Sequence, residues 1–242
     1  CVIVKNDEII SIGQTSFNGR PHAEFNAITN ATEILEGSTM YVTLEPCSHY
    51  GQTPPCTNII IKNKIGTIIY SMEDVDKKVK GKSLKILRLK NAIVKKGLLS
   101  EEMIEFYKPY IFNRINKIPY VTGKIAVSKN NLIYSKGTKR ITDIHSDKLT
   151  HFLRYKNDSL MISYKTLNQD NPKLNCRLDG LSKFSPKRII LDNNLKTNTN
   201  TYIFKTANKK NTIIFYKKAD KVKISKFKKK GIQLIKSNLL KN

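Results

Sequence analysis

Apolar residues change their spacing several times along the first hundred positions of the chain. Two β-branched runs at 2–4 and 9–12, separated by four polar residues, predict a β-hairpin. From His22 the apolar positions recur at helical spacing as far as Leu35, and Gly37 ends the pattern. Further patterns predict strands at 39–44, 66–71 and 92–98 and helices at 57–63 and 82–90. Strands that alternate with helices indicate an α/β layer structure.

A second group of strand patterns begins after a stretch with little periodicity. Residues 106–119 contain two prolines and predict a linker. Beyond it the patterns predict a helix near 143–155 and strands at 120–127, 159–163, 188–191 and 212–216. The sequence therefore predicts two α/β domains, at 1–112 and 117–242.

Charge is strongly positive but unevenly distributed. The 242 residues include 44 Lys+Arg and 19 Asp+Glu, a formal net charge of +25. Residues 1–60 carry two basic and six acidic side chains, a net of −4, so the positive excess lies after them. Lysine-rich composition spread over the surface explains this pattern without a polyanion, and the Lys-rich piece at 221–230 is expected to be solvated surface. We therefore expect no nucleic-acid partner.

The apolar content and the cysteines limit the remaining classes. Hydrophobic residues make up 39% of the chain, which is enough for a packed core. No apolar run approaches the roughly 18 residues that a membrane helix needs, so no membrane partner is expected. Four cysteines are too few and too unevenly spaced for a disulfide scaffold, which favours a reducing, cytoplasmic location. Cys1 and Cys176 have no partner at ligand spacing and are expected to be structural.

The candidate chemistry is concentrated in His22-Ala23-Glu24, Pro46-Cys47 and Pro55-Cys56. One imidazole and two thiolates can bind a tetrahedral Zn²⁺ and leave the fourth position for water, as in catalytic zinc sites. The metal brings the pKa of that water toward neutrality, and Glu24 is placed to transfer protons without binding the metal. This combination is typical of the zinc-dependent base deaminases. Two other histidines, His145 and His151, lie among charges on a predicted helix, and we expect them at its surface.

Three functions are compatible with these residues. The first is deamination of a small pyrimidine, the second is a tRNA or nucleoside base deaminase with an accessory domain, and the third is a non-catalytic module stabilised by zinc. Nucleoside, tRNA and DNA deaminases usually have the spacing Pro-Cys-x-x-Cys, whereas eight residues separate Cys47 from Cys56. This spacing and the acidic first sixty residues count against the second function.

The segment Tyr-Val-Thr-Leu-Glu-Pro-Cys-Ser-His-Tyr-Gly-Gln-Thr-Pro-Pro-Cys-Thr at 41–57 resembles the loop of a known family, the bifunctional riboflavin-biosynthesis deaminase/reductases. That loop reads T-L-E-P-C-S-H-x-G-R/K-T-P-P-C, and residues 21–27 fit the same family. The resemblance implies an N-terminal cytidine-deaminase-like three-layer α/β domain. It also implies hydrolytic deamination of 2,5-diamino-6-ribosylamino-4(3H)-pyrimidinone 5′-phosphate. The implied site residues are Glu24 as proton donor, His22, Cys47 and Cys56 on zinc, and His49 and Thr53 on the substrate.

The resemblance continues from Tyr120 to about Asn193 and implies a dihydrofolate-reductase-like α/β domain that uses NADPH to reduce the ribosyl group to ribityl. The implied cofactor contacts are Ala126, Arg140, Thr166, Asp170 and Asn193, and the implied substrate contacts are Thr138, Arg154, Leu174 and Arg177. The chain departs from the family at Gln52, where Arg or Lys is usual, at Asn130-Asn131, at Arg140 and at Asn171. The family's Gly-rich cofactor loop has no counterpart. We expect both domains to be truncated and the enzyme to be a homo-oligomer.

Overall fold

A computed structural model of the chain describes residues 1–133 and 141–238. The chain divides into two compact units, Cys1–Gly123 and Lys124–Asn242. Within the described ranges, no helix has both the length and the apolar character needed to cross a membrane.

The first unit is built on a five-stranded mixed sheet. Its strands are β1 (Val2–Lys5), β2 (Glu8–Ile12), β3 (Thr39–Leu44), β4 (Thr67–Met72) and β5 (Ile93–Lys96). They lie in the order β2-β1-β3-β4-β5, with β1 antiparallel to both neighbours and β3, β4 and β5 parallel. Its helices are α1 (Ala23–Asn30), α2 (Cys56–Lys62), α3 (Lys82–Arg88), α4 (Ser100–Phe106) and α5 (Lys108–Asn116).

Alternating side chains of the two central strands form the middle of this core. Met40 and Val42 of β3 pair in register with Ile68 and Tyr70 of β4, and all four are buried. β-branched and aromatic residues fit this pleated, enclosed surface. Because the two strands are parallel, their carboxyl ends lie at the same edge of the sheet, and the loop that contains Cys47 leaves the sheet at that edge.

Gly13 determines how closely α1 approaches the hairpin. A Cβ atom at this position would lie 2.2 Å from the carbonyl oxygen of Ala23 and 2.2 Å from the amide nitrogen of Ala27. Only glycine permits this contact between the end of β2 and the helix backbone. The close contact fixes the first turn of α1, and therefore the residues at its start.

Two predictions for the first unit are wrong. The helix that begins after His22 ends at Asn30, and Leu35 reaches the core from an irregular segment. Asparagine favours helix ends over helix interiors. Leu35 is buried without being in a helix, and its position in the sequence coincides with helical spacing. The predicted linker at 106–119 is largely α5, with Pro109 in its first turn, where a missing N–H costs nothing. No residue of α5 is buried, which explains its weak periodicity.

The second unit contains a four-stranded, fully parallel sheet. Its strands are β6 (Ser159–Ser163), β7 (Lys187–Leu191), β8 (Thr212–Tyr216) and β9 (Gln233–Lys236), in that order across the sheet. Its helices are α6 (Ile144–Lys156), α7 (Tyr164–Asp170), α8 (Tyr202–Lys205) and α9 (Lys221–Lys229). A core of aliphatic and aromatic residues lies between sheet and helices, centred on Leu167, Ile190, Ile203 and Ile214.

The predicted strand at 120–127 is not a strand in the structure. Val121 and Ile125 are 84% and 69% exposed, and the segment has no ladder partner within the described ranges. An alternating pattern produces a strand only where a neighbouring strand supplies hydrogen bonds.

Several elements of the second unit have no strong periodic signal. Helices α7, α8 and α9 are each capped by a short polar side chain, from Ser163, Thr201 and Asp220 respectively. The segment 221–230 exposes its lysines as expected, although Phe227 of α9 is buried in the core.

Candidate functional site

Three secondary-structure boundaries bring His22, Cys47 and Cys56 together. His22 is the N-cap residue of α1, Cys47 follows the carboxyl end of β3, and Cys56 is the first residue of α2. The Cys56 amide donates to Cys47 Sγ at 3.2 Å, and the Thr57 amide donates to the Cys47 carbonyl oxygen at 3.2 Å. The start of α2 therefore holds both thiols near the carboxyl edge of the sheet.

The distances within this cluster suit a tetrahedral zinc ion. His22 Nδ1 lies 3.5 Å from Cys47 Sγ and 3.4 Å from Cys56 Sγ. All three candidate ligand atoms lie within 4.8 Å of one another. Bonds of about 2.05 Å to nitrogen and about 2.3 Å to sulfur at the tetrahedral angle separate these atoms by about 3.6 Å. The residues therefore fit zinc in both type and spacing.

Electrostatics at the cluster favour negative charge on sulfur. The side-chain hydrogen bond between the two thiols lowers the pKa of Cys47 and raises the pKa of Cys56. One thiolate is thus stabilised by the neighbouring thiol, and a divalent cation between the sulfurs favours the thiolate form of both.

Glu24 lies in the first turn of α1 and is 5% exposed. Burial raises the pKa of its carboxyl group, with His22 and the Cys56 side chain among its charged and hydrogen-bonding neighbours. A buried carboxyl group beside the three ligands is placed to exchange protons with a molecule bound there.

A cleft of about 380 Å³ adjoins the ligand cluster. His22 and Cys56 form part of its wall, together with Phe25, Thr53 and the prolines at 54 and 55. Ser48 Oγ and His49 Nδ1 are buried in the neighbouring loop and have no hydrogen-bond partner within the described ranges. Of the two predicted substrate contacts in this unit, Thr53 lines the cleft, whereas His49 is not among the described residues that form its wall.

Two residues of the site received no role from the sequence. Nη1 of Arg20 lies 2.9 Å from His22 Nδ1 and also contacts His22 Nε2. Glu45 is 3% exposed and accepts four hydrogen bonds, from the amides of Asp74, Gly81 and Ser83 and from the Ser83 hydroxyl. The sequence offered one sign of a role for Glu45: it is an acidic residue placed between strand β3 and Pro46-Cys47.

The predicted cofactor contacts are only partly brought together. Thr166 follows the carboxyl end of β6, Asn193 follows that of the adjacent strand β7, and Asp170 ends α7 with its side chain exposed. Ala126 is half-buried in the irregular segment after Gly123. Arg140 lies outside the described residues, as does the predicted substrate contact Thr138.

The other predicted substrate contacts of the second unit are adjacent. Arg154 Nη1 donates to the Asn175 carbonyl oxygen at 3.0 Å, and Arg177 Nη1 donates to Asn175 Oδ1 at 3.1 Å. Leu174 is buried beside them. His151, predicted at the helix surface, is half-buried there, and its Nδ1 accepts the Arg177 amide at 3.1 Å. His145 is exposed as expected, because it lies on another face of α6.

Comparisons with known proteins assign a family to each unit. Residues 1–72 match the cytidine and deoxycytidylate deaminase zinc-binding region, and residues 119–241, about half of the chain, match the RibD C-terminal domain. The riboflavin biosynthesis protein RibD of Actinobacillus pleuropneumoniae is 35% identical over 97% of this chain, and that of Aquifex aeolicus is 34% identical over 97%. The chain spans 62% and 65% of the length of these two curated relatives.

Solved structures agree with this assignment. Acinetobacter baumannii RibD superposes with a TM-score of 0.86 at 27% identity, over 99% of this chain and 67% of its own. A Thermotoga maritima diaminohydroxyphosphoribosylaminopyrimidine deaminase/5-amino-6-(5-phosphoribosylamino)uracil reductase superposes with a TM-score of 0.79 at 29% identity, over 96% of this chain and 72% of its own. The predicted fold class is confirmed: a cytidine-deaminase-like domain followed by a RibD reductase-type domain. The chain therefore belongs to the RibD family of riboflavin biosynthesis proteins.

Proposed function

We propose that the first unit catalyses the zinc-dependent hydrolytic deamination of 2,5-diamino-6-ribosylamino-4(3H)-pyrimidinone 5′-phosphate. The observation that carries this proposal is the convergence of His22, Cys47 and Cys56 beside the buried carboxyl group of Glu24. Membership in the RibD family supports it, as does the similarity to the Thermotoga maritima deaminase/reductase.

In this proposal His22 Nδ1 and the two thiolates hold the zinc ion. When bound, zinc supplies Lewis acidity that makes hydroxide available near neutral pH. Glu24 takes a proton from the attacking water and gives it to the ring nitrogen beside the reacting carbon. Glu24 then moves the second proton to the departing amino group, so that water and the aminopyrimidine become the pyrimidinone and ammonia.

The surroundings of Glu24 serve this role in two ways. Its first-turn position on α1 is fixed by the close packing of the helix against Gly13, so the carboxyl group has a defined place beside the ligands. The polar side chains of Thr53 and Asn58 in the cleft wall offer hydrogen bonds to a polar ring. The mostly apolar cleft with Phe25 and the two prolines gives such a ring a surface to pack against.

Ammonia release tests the proposed deamination. We expect this chain to release ammonia from the diaminopyrimidine phosphate, to lose the activity in a zinc chelator, and to recover it when zinc is restored. Cytidine and adenosine serve as comparison substrates, and preference for either one would identify a nucleoside-type deaminase instead. Activity that survives complete removal of zinc would contradict the proposed mechanism.

For the second unit we propose NADPH-dependent reduction of the ribosyl group of the deaminated product to ribityl. Open parallel sheets bind nucleotides outside the carboxyl ends of their strands, and Thr166 and Asn193 lie at that edge of β6 and β7. Their hydroxyl and amide groups, with the Asp170 carboxylate nearby on α7, are donor and acceptor types that suit ribose and amide groups of NADPH. When bound, NADPH supplies the hydride. Arg154 and Arg177 are suited to the substrate phosphate, because a guanidinium group binds phosphate through paired hydrogen bonds.

NADPH fluorescence tests the cofactor part of this proposal. We expect saturable binding of NADPH, and Thr166→Val weakens it by roughly tenfold because one hydrogen bond is removed with little change in shape. Thr15→Val, an exposed threonine of the first unit, is the matched control and leaves the affinity unchanged. Equal affinities for the Thr166 variant and the unmodified chain would remove Thr166 from the cofactor site.

A cytoplasmic location and a homo-oligomeric state remain predictions.

A further inference from the structure

Residues 174–177, here called the 174–177 strap, run beside helix α6. Leu174 adopts a left-handed backbone conformation with φ of 55° while its side chain is buried in the core. Cys176 is fully buried, and its amide donates to Ser185 Oγ at 3.1 Å. A non-glycine residue with positive φ persists only where surrounding contacts hold it, and these contacts supply that restraint.

Two side chains of helix α6, one turn apart, form hydrogen bonds with the 174–177 strap. His151 Nδ1 accepts the Arg177 amide at 3.1 Å, and Arg154 Nη1 donates to the Asn175 carbonyl oxygen at 3.0 Å. Residues three apart on a helix share a face, so both side chains reach the same stretch of backbone. An imidazole nitrogen that accepts an N–H carries no proton, so the His151 proton lies on Nε2.

This junction places three basic groups together. In the described part of the chain, no carboxylate lies within ion-pair distance of Arg154 or Arg177. Arg154 Nε is buried without a hydrogen-bond partner, again within the described ranges. Burial and the neighbouring Arg177 lower the pKa of the Arg154 guanidinium. Uncompensated guanidinium groups of this kind are suited to an anion, and a phosphate ester matches their fork geometry.

We infer that His151 is a positioning residue for this anion-binding face: its neutral imidazole accepts the Arg177 amide and thereby sets the direction of Arg177 beside Arg154. The inference rests on the proposed reductase function, in which the two arginines receive the substrate phosphate. His151 does not contact the phosphate. It acts through the backbone of the strap.

The state of His151 gives the positioning role a pH dependence. Burial lowers the pKa of His151, and the positive charges of Arg154 on α6 and Arg177 on the strap lower it further, against a weaker opposing contribution from the Asn175 backbone. On α6, Asp147 and Lys148 lie one turn before it and Tyr155 one turn after it. The folded pKa is below the unfolded value of about 6.5, so the neutral ring is favoured by folding. The contribution of the neutral His151 ring to folding stability is present above about pH 6.5. It is lost as the pH falls from that value toward the folded pKa.

The first test measures ribose 5-phosphate binding by calorimetry with this chain and three variants. His151→Ala weakens binding by roughly tenfold, because the Arg177 amide loses its acceptor. His151→Asn restores most of the affinity, since its side-chain oxygen can accept the same amide. His145→Ala, an exposed histidine on the same helix, is the matched control and leaves binding unchanged. Circular dichroism melts check that each variant is folded.

The second test compares the chain and His151→Asn between pH 5 and pH 8. Protonation of the phosphate ester affects both proteins equally, so the ratio of their affinities isolates His151. We expect the affinity of the unmodified chain to fall relative to that of His151→Asn as the pH falls, because imidazolium cannot accept the Arg177 amide. A histidine that acted only as a third positive charge would produce the opposite trend, which would overturn the inference.

Arg154→Ala separates the inference from the proposed function. If Arg154→Ala loses binding while His151→Ala binds as well as the unmodified chain, the positioning role is wrong and the anion-binding face stands. If neither the chain nor Arg154→Ala binds ribose 5-phosphate or inorganic phosphate, the face itself is wrong and the inference falls with it.

Discussion

Replacement of Glu24 by glutamine lowers the deamination rate constant by roughly 10²–10⁴-fold, because glutamine keeps the shape and polarity of the side chain but cannot transfer a proton. The carboxyl group is buried in the first turn of α1, two residues after the proposed zinc ligand His22. Zinc content stays at the level of the unmodified chain, since Glu24 is not one of the three ligands. Steady-state ammonia release and metal analysis of the same preparation measure both quantities.

Glu33→Gln provides the matched control for this change. Glu33 follows α1 in the same segment and is exposed, so the identical substitution there alters charge without touching the site. We expect unmodified activity from it. A Glu24→Gln variant that retains activity within tenfold of the chain, with normal zinc content, would exclude Glu24 as the proton carrier and favour a zinc site whose role is folding alone.

The convergence of His22, Cys47 and Cys56 could be predicted from the sequence because its signal is local and chemical. His22 and Glu24 are fixed by one helix start, and each thiol follows a proline at an element boundary, so the pattern specifies the geometry almost directly. The sheet strands β3 and β4 were predictable for a similar reason, since both alternate buried and half-buried positions.

Roles that depend on distant backbone could not be predicted in this way. Glu45 acts on amides of residues 74–83, and His151 acts on an amide 26 positions later, so neither has a neighbouring residue that reveals its partner. Lone histidines on charged helices are usually solvated, and nothing in the local pattern separates His151 from the exposed His145. The false strand at 120–127 has the same origin, because ladder partners are a property of the whole fold.

Loss of one thiolate is the second large effect that we expect. Cys56→Ser replaces a soft sulfur ligand by a hydroxyl group that is protonated at neutral pH. Loss of a residue that only hydrogen-bonds to a zinc ligand lowers zinc affinity by roughly 10–100-fold, and we expect loss of the ligand itself to lower it further. Zinc per chain after dialysis falls well below that of the unmodified protein, and ammonia release falls with it.

Cys176→Ser tests whether this effect belongs to the site or to buried thiols in general. Cys176 is fully buried in the second unit and has no counterpart at ligand spacing, so its replacement affects packing there without reducing the zinc content. The Cys56→Ser variant also lacks the thiol that forms a hydrogen bond with Cys47. Ammonia release is therefore also measured with zinc in excess. If the site is catalytic, zinc added to saturation restores part of the deaminase activity, because His22, Cys47 and Glu24 are still in place. Full activity of Cys56→Ser at its reduced zinc content would show that the metal has no part in the reaction.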